Sequence, residues 1–340
     1  MKAPHRTSEG EPNRGLSRPT PRLPHDRVRV FEVVFWLAPV ACALLFPGYL
    51  VLASRVFVAG LFALSLDLIL GYAGIVSLGH AAFFGVGAYT AGLLATHGMQ
   101  EPLCGLFAAG AVATLVGFVT SFLVVRGNNL SRLMVTLGIG LLFQEAANKA
   151  AGITNGVDGL SGLSLRKLFG VFEFDLYGRT ACFYSLAVLF VCFAVARRLV
   201  ASPFGLSLRG IRERASRMAA LGAPVRGRLV AIFTVAAGMA GLAGGLLAQT
   251  TQFVGLDVLG FARSSELLIM VVLGGAGRLY GALIGAALFM VAQDRLSGLS
   301  PVYWQFWIGL MLVVTVLFAR GGVMGGLERL GSLLVRRGAR

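Results

Sequence analysis

The chain has 340 residues, of which 56% are hydrophobic and 13% are charged. A soluble domain carries about 25% charged residues, so this composition excludes an ordinary soluble protein and predicts one with much of its surface in membrane lipid. The formal net charge of +15 does not indicate nucleic acid as a partner, because the arginines lie in the two tails and in the loops between apolar runs, as positive-inside topology requires.

The chain begins with a basic tail over residues 1–29, rich in proline, serine and glycine. Such a composition buries too little apolar surface to fold, so we expect a disordered cytoplasmic tail. A cleavable signal peptide is not indicated, because the basic stretch is long and no small-residue cleavage site clearly follows the first apolar run. A second basic cytoplasmic tail is predicted over 321–340, which leaves 30–320 as one transmembrane domain.

Within that domain, ten apolar segments approach the length that a membrane crossing requires. They occupy 30–47, 56–72, 77–97, 103–125, 130–148, 180–197, 229–250, 264–274, 279–293 and 302–319. The sequence therefore predicts an all-α, polytopic transmembrane helical bundle with some short or broken helices. Lysines and arginines in the short loops place both termini in the cytoplasm.

The second and third segments carry an acidic residue and several glycines. Asp67 lies inside a crossing, where an ionisable side chain is costly and usually faces the bundle interior or a cavity. It either pairs with a neighbouring polar group or lies on a solute path. The glycines Gly71, Gly74, Gly79, Gly85 and Gly87 indicate either close helix packing or a broken helix along that path.

His80 follows these glycines at a predicted cytoplasmic turn, where we expect a structural histidine. Glu145 lies at the outer end of the fifth segment, as a solvated residue or as part of an outer gate. The four cysteines have no CxxC spacing and are predicted to be small buried side chains. They are Cys42, Cys104, Cys182 and Cys192.

The long cytoplasmic loop over 198–228 has an amphipathic pattern. We expect a short helix from about Leu206 and a second helical turn that ends near Gly222, whose missing Cβ suits a helix C-terminus. One interpretation is an interfacial helix on anionic lipid. The alternative is a helix that docks onto a partner protein.

The eighth segment is too short to cross a membrane alone. Glu266 is predicted at its start, where the helix dipole favours an acidic residue. Gly274 and Gly275 follow its end, so a half-length helix turning on glycines is expected, surrounded by protein or by a water-filled cavity.

Four motifs together resemble the permease subunits of branched-chain amino-acid ABC importers. They are the run Leu66–Tyr89, the outer-loop segment Thr154–Leu160, the loop residues Arg212, Glu213 and Ala219–Gly222, and the run Leu273–Gly281. The motifs occur in the family's order from about residue 60 to residue 320. One departure is Arg214, Ser216 and Arg217, which make the loop more basic than in similar proteins.

The resemblance implies a multi-pass subunit of the bacterial inner membrane without an ATPase site or a cofactor. Its implied partners are ATP-binding cassette ATPase subunits, a second related permease and a periplasmic solute-binding protein. The residues implied to couple it to the ATPase are Arg209, Arg212, Glu213, Ala219, Ala220, Leu221 and Gly222. The candidate solute path comprises Asp67, Gly71, Gly74, Gly79, Gly85, Gly274 and Gly275. No catalytic or metal site is predicted.

Three alternatives stay open at this point. A permease for urea or short amides has a similar signature. An ion-coupled secondary transporter also uses broken helices, but it predicts several intramembrane carboxylates, and Asp67 is essentially the one candidate. A membrane-embedded enzyme needs clustered acidic residues or histidines, and the chain has only four histidines.

Overall fold

The computed structural model describes residues 30–163, 166, 178–301, 303–318 and 321–326. The predicted N-terminal tail, and the C-terminal tail beyond residue 326, lie outside the described residues. The chain divides into two compact units, Met1–Ala41 and Cys42–Arg340. Of the first unit the structure describes the start of helix α1, Val30–Leu45.

The second unit is built almost entirely from helices. They are α2 (Leu50–Asp67), α3 (Ala81–Thr96), α4 (Pro102–Arg126), α5 (Asn129–Lys149), α6 (Ala151–Thr154), α7 (Arg179–Ala201), α8 (Pro203–Ala220), α9 (Val225–Thr251), α10 (Phe261–Gly274), α11 (Leu279–Leu299) and α12 (Trp304–Phe318). A π-helical turn, Leu68–Tyr72, prolongs α2. The two short strands are β1 (Leu160–Ser161) and β2 (Phe253–Val254).

Each of the ten predicted segments corresponds to one helix, so the predicted helical bundle is confirmed. Among the described residues, six helices are long and apolar enough to cross a membrane: Leu50–Tyr72, Pro102–Arg126, Asn129–Lys149, Arg179–Ala201, Val225–Thr251 and Leu279–Leu299. Several boundaries differ from expectation, among them the end of α11, which lies at Leu299 and not at residue 293. Helix α2 begins six residues early, and α10 begins at Phe261, so Glu266 lies in its second turn and the prediction that it opens the helix is wrong.

Helix α9 lies at the centre of the bundle and packs against α2, α3 and α4. Its buried face carries glycines at close intervals, including Gly238, Gly241 and Gly244. A Cβ atom on Gly244 would overlap the carbonyl group of Phe84 in α3. Helices in lipid associate through such close approach of small residues, so these glycines fix the contacts between α9 and its neighbours.

Helix α2 is the second centre and packs against α7, α9 and α11. Helix α10 packs against α11, and a Cβ atom on Gly274 would overlap the carbonyl group of Gly281. The segment after α12 returns to this region, because the carbonyl of Gly321 lies against Gly275. The start of the predicted C-terminal tail therefore contacts the glycine turn that follows α10.

Loops from separate parts of the chain gather at one end of the helices. Strand β1 pairs antiparallel with β2, with Leu160 opposite Val254, and Gln249 donates a hydrogen bond to the carbonyl of Pro102 at 2.6 Å. Helix α8 lies at the opposite end, beside the π-helical turn. The loops that the sequence assigns to opposite sides are thus separated in the structure.

The predicted burial of the cysteines is confirmed only in part. Cys182 and Cys192 are buried, whereas Cys104 is exposed. Cys104 lies near the start of α4, on a face that no described helix covers. Its predicted burial is therefore wrong, because an apolar run does not reveal which of its faces packs inside a bundle.

Candidate functional site

Asp67, the last residue of α2, is fully buried. Its Oδ1 atom accepts a hydrogen bond from the backbone N–H of Gly277 at 2.6 Å, while Oδ2 has no hydrogen-bond partner among the described residues. The carboxylate thereby joins the end of α2 to the glycine turn between α10 and α11. Of the two interpretations offered by the sequence, the contact of Oδ1 favours pairing with a neighbouring polar group.

Arg212 reaches the same place from α8. Its Nη1 atom donates a hydrogen bond to the carbonyl of Gly71 in the π-helical turn, and its charge interacts favourably with Asp67. A neighbouring arginine, Arg209, lies with its guanidinium carbon 5.3 Å from the ring centroid of Tyr72, within the range of cation–π attraction. Two cationic side chains of α8 therefore contact the interruption that ends α2.

The backbone at this place requires glycine. A Cβ atom on Gly71 would overlap both the Asp67 carboxylate and the backbone of Gly277. Gly74 has φ +74°, and a Cβ atom there would lie 3.0 Å from Cγ of Arg212. We call the cluster of Asp67, Gly71, Gly74, Arg212 and Gly277 the α8 junction.

Helix α8 consists of two helical parts, as predicted from the loop pattern. The break falls at Arg214, with φ −153° and ψ 98°. The first part begins at Pro203 rather than near Leu206, because Ser202 caps it by accepting a hydrogen bond from the Gly205 N–H at 3.4 Å. Proline is well tolerated at the first position of a helix.

The second part ends at Gly222, whose φ of +80° lies in the left-handed region. The N–H groups of Gly222 and Ala223 donate to the carbonyls of Ala219 and Met218, the pattern of a Schellman helix end. The predicted helix end near Gly222 is thus confirmed.

The residues implied in coupling fall into two groups. Arg209 and Arg212 turn towards the π-helical turn. The others form an exposed surface, which we call the α8 tip: Glu213, Ala219, Ala220, Leu221 and Gly222. Leu221 is 79% exposed, so this tip presents an apolar side chain at its surface.

The structure brings five of the seven residues of the candidate solute path to one region. Asp67, Gly71 and Gly74 belong to the α8 junction, and Gly274 and Gly275 lie in the glycine turn that also contains Gly277. Gly79 and Gly85 lie elsewhere, against Thr136 and Leu259. None of the seven is among the described residues that line the cavity at the other end of the bundle.

His80 is fully buried, as a structural histidine would be. Ser65 donates its hydroxyl proton to the carbonyl of Phe62 at 2.6 Å, so Nε2 of His80 is the donor in its 2.9 Å contact with the Ser65 oxygen. Nδ1 has no hydrogen-bond partner within the described residues. The ring stacks on Phe62 with centroids 5.9 Å apart.

A cavity of about 570 Å³ opens at the end of the helices opposite to α8, and sequence reasoning missed it. Its lining includes residues from α2, α9, α10, α11 and α12. Phe62 and Phe84 also line it, and their rings stack with centroids 4.3 Å apart. Since Phe62 also stacks on His80, this aromatic pair separates the cavity from the buried histidine.

Arg263, in the wall of this cavity, pairs with two carboxylates. Its guanidinium lies 3.1 Å from an oxygen of Glu266 and 3.4 Å from an oxygen of Asp257. The sequence analysis singles out Glu266 but does not predict its partner Arg263. The i, i+3 spacing of Arg263 and Glu266 on one helix is a signal that predicts this pair.

The fold and the α8 junction define a multi-pass membrane protein in which a polar helix contacts an interruption between apolar helices. A model of the family described as branched-chain amino acid transport system / permease component matches residues 48–316. The chain belongs to this family of ABC transporter permeases. This confirms the resemblance drawn from the four motifs.

Two curated relatives agree with the family. The chain is 28% identical over 327 residues to the high-affinity branched-chain amino acid transport system permease protein LivM of Salmonella typhimurium (strain LT2), covering 88% of this chain and 76% of the relative. It is 27% identical over 326 residues to LivM of Escherichia coli (strain K12), with the same two coverages. No solved structure matches the chain significantly.

Proposed function

We propose that the chain is an inner-membrane permease subunit of an ATP-driven importer for branched-chain amino acids. A periplasmic binding protein delivers leucine, isoleucine or valine, and the solute passes between this chain and a second, related permease. Two ATPase subunits supply the energy. Both termini and α8 lie in the cytoplasm in this proposal.

The observation that carries the proposal is the contact of Arg212 with the carbonyl of Gly71 beside Asp67. Helix α8 presents an exposed tip for a partner, while two of its arginines contact the end of α2. A displacement of the tip by a partner therefore acts on α2 directly. Such a displacement shifts the permease between states only if the partner contacts the two states differently.

ATP hydrolysis is assigned to the partner subunits. A phosphate-binding loop of the type GxxxxGK[ST] occurs nowhere in the 340 residues, and this loop provides the backbone N–H groups and the lysine that hold the nucleotide phosphates. The chain contributes the docking surface and the helices that move.

The glycines of the candidate solute path take two roles in this proposal. Gly71 and Gly74 shape the α8 junction, together with Asp67. Gly79, Gly85, Gly274 and Gly275 lie in tight helix contacts that flank the path and must slide when it opens. Small residues allow the close approach of backbones at these contacts.

The first experiment measures uptake of radiolabelled leucine, isoleucine and valine, with urea as a comparison, in cells that lack this chain and in complemented cells. Loss and rescue of branched-chain uptake supports the proposal. Lost urea uptake with unchanged amino-acid uptake indicates a permease for urea or short amides instead. Uptake that persists without ATP and follows an ion gradient indicates a secondary transporter.

A second experiment tests the coupling role. Arg212→Ala and Glu213→Ala are compared with Arg226→Ala, an exposed arginine at the start of α9 and outside the α8 junction. We expect Arg212→Ala to abolish most solute-stimulated ATPase activity, Glu213→Ala to reduce it, and Arg226→Ala to leave it unchanged. Intact transport and ATPase stimulation in the first two variants contradicts the coupling role.

A further inference from the structure

We propose that the cavity opposite α8 binds the charged head group of a zwitterionic, aliphatic solute, with Arg263 as the partner of its carboxylate and Asp257 as the partner of its ammonium group. This inference rests on the proposed function, since it locates a solute site within the importer. It concerns residues outside the four sequence motifs.

The size and position of the cavity suit a small solute. Its volume of about 570 Å³ lies within the roughly 300–1,000 Å³ of small-molecule sites. It opens at the end of the bundle where β1 and β2 pair, away from the helix that docks onto the ATPase. A solute arriving from the periplasmic side reaches it first in the proposed orientation.

The cavity has a charged mouth and an apolar floor. Its charged lining residues are two of each sign: Arg55, Arg263, Asp257 and Asp294. Its floor and lower walls are buried apolar side chains: Val58, Phe62, Phe84, Leu267 and Met270. A zwitterion with an aliphatic side chain matches both regions.

Other occupants match one region only. A lipid acyl chain would cover the floor but leave the mouth charges in an apolar environment, which is costly. Urea carries no charge for the two arginines and no apolar group for the floor. A purely anionic or cationic solute would leave one sign of charge at the mouth without a partner.

The two carboxylates that pair with Arg263 are held with unequal strength. Glu266 is close, at 3.1 Å, and its side chain is 23% exposed. Asp257 is farther, at 3.4 Å, and its side chain is 68% exposed. Because exposed ion pairs contribute little stability, an incoming carboxylate displaces Asp257 from Arg263 readily. The released Asp257 then faces the solute's ammonium group, while Glu266 keeps Arg263 in place.

The experiment measures protection of a cysteine placed in the cavity wall. Ser297, which lines the cavity, is replaced by cysteine in a Cys104→Ser background, and its modification by a small charged thiol reagent is followed in cells. We expect leucine to slow the modification, and expect isocaproate, without an ammonium group, and leucinamide, without a carboxylate, to protect far less. Met99→Cys, at an exposed site outside the cavity, shows whether leucine slows thiol modification in general.

Variants of the charged residues complete the test. Arg263→Gln is expected to weaken protection by leucine about tenfold, as for loss of a charge-assisted hydrogen bond, and Arg263→Lys less. Asp257→Asn is expected to abolish the discrimination between leucine and isocaproate. Arg295→Gln is the matched control, because Arg295 lies beside Asp294 but contacts Tyr49 instead of the cavity. Membrane abundance of every variant is measured alongside.

The inference is wrong if leucine gives no protection, if isocaproate and leucinamide protect as well as leucine, or if Arg263→Gln behaves as Arg295→Gln does. Uptake is measured in the same cells to separate this result from the proposed function. Rescue of uptake without protection contradicts the cavity site alone, whereas failure to rescue contradicts the importer assignment.

Discussion

Asp67 joins two helices through one oxygen atom, so the shape and the charge of its side chain can be tested separately. Asp67→Asn keeps an oxygen for the Gly277 N–H but removes the attraction to Arg212. Asp67→Ala also leaves that buried N–H without an acceptor, which costs roughly 1–3 kcal/mol. We therefore expect both variants to lose transport and only Asp67→Ala to lower the thermal unfolding temperature of the detergent-solubilised chain clearly.

The control for this pair is Glu145→Ala, whose carboxylate forms an exposed ion pair with Lys149. Both its transport and its unfolding temperature should stay unchanged. An Asp67→Asn variant with full transport would show that the charge at the α8 junction is dispensable.

Gly71 is the residue of the α8 junction at which an added methyl group should be most destabilising. Gly71→Ala places a Cβ atom into the Asp67 carboxylate and the Gly277 backbone, and such overpacking costs typically 1–3 kcal/mol. Gly138→Ala in α5 meets open space and should be neutral or stabilising, since alanine favours a helix. Membrane abundance and thermal unfolding distinguish the two variants, and equal behaviour would contradict the close contact.

The order of the α8 tip depends on the C-terminal end of the helix at Gly222. Gly222→Ala forces an L-residue into the left-handed region at a cost of about 1–2 kcal/mol, so the α8 tip should fray while the transmembrane helices stay folded. We expect reduced solute-stimulated ATPase activity with an unchanged unfolding temperature. Gly227→Ala, in open space in the first turn of α9, is the control, and a full ATPase response in Gly222→Ala would argue against an ordered tip.

The sequence predicts the elements better than their contacts. Apolar runs locate ten helices because each must match the membrane, and Gly222 marks the end of α8 because few other residues accept its conformation. The contact that Arg212 makes could not be predicted from such patterns. Its hydrogen bond joins residues 141 positions apart, and the amphipathic pattern of α8 is equally compatible with a helix on lipid. Asp257 lies in the short connection before α10 and Arg263 in the first turn of α10, and neither belongs to one of the four motifs, so the sequence did not indicate the cavity.

The two ends of the helical bundle should be accessible to reagents from opposite sides of the membrane. Leu221 marks the α8 end and Met99 the other, and both side chains are exposed. In a Cys104→Ser background, Leu221→Cys should react with a membrane-impermeant thiol reagent only in inverted vesicles, and Met99→Cys only in intact cells. Reaction of both from one side contradicts the topology, and the reversed result contradicts the orientation.

The sequence does not predict which helices pack against one another, and the reason is physical. Glycine and alanine occur in most of the apolar segments, and any of them permits close approach, so composition does not reveal that α9 packs against both α3 and α4. The exposed face of Cys104 follows from the same ambiguity. What the sequence does constrain is the side on which each loop lies, because charge placement is read during insertion.

Phe62 and Asp67 stand on the same rigid helix, five residues or roughly 7–8 Å apart along its axis. The aromatic closure beneath the cavity and the attachment of α8 therefore move as one body. In the proposed importer we expect this linkage to make leakage costly, because the aromatic pair can move apart only when the attachment of α8 at the other end is also disturbed. A cell that stores energy as an ion gradient can then carry surplus, unpartnered copies of this chain without losing that gradient, and expression of the chain alone should leave the membrane potential intact.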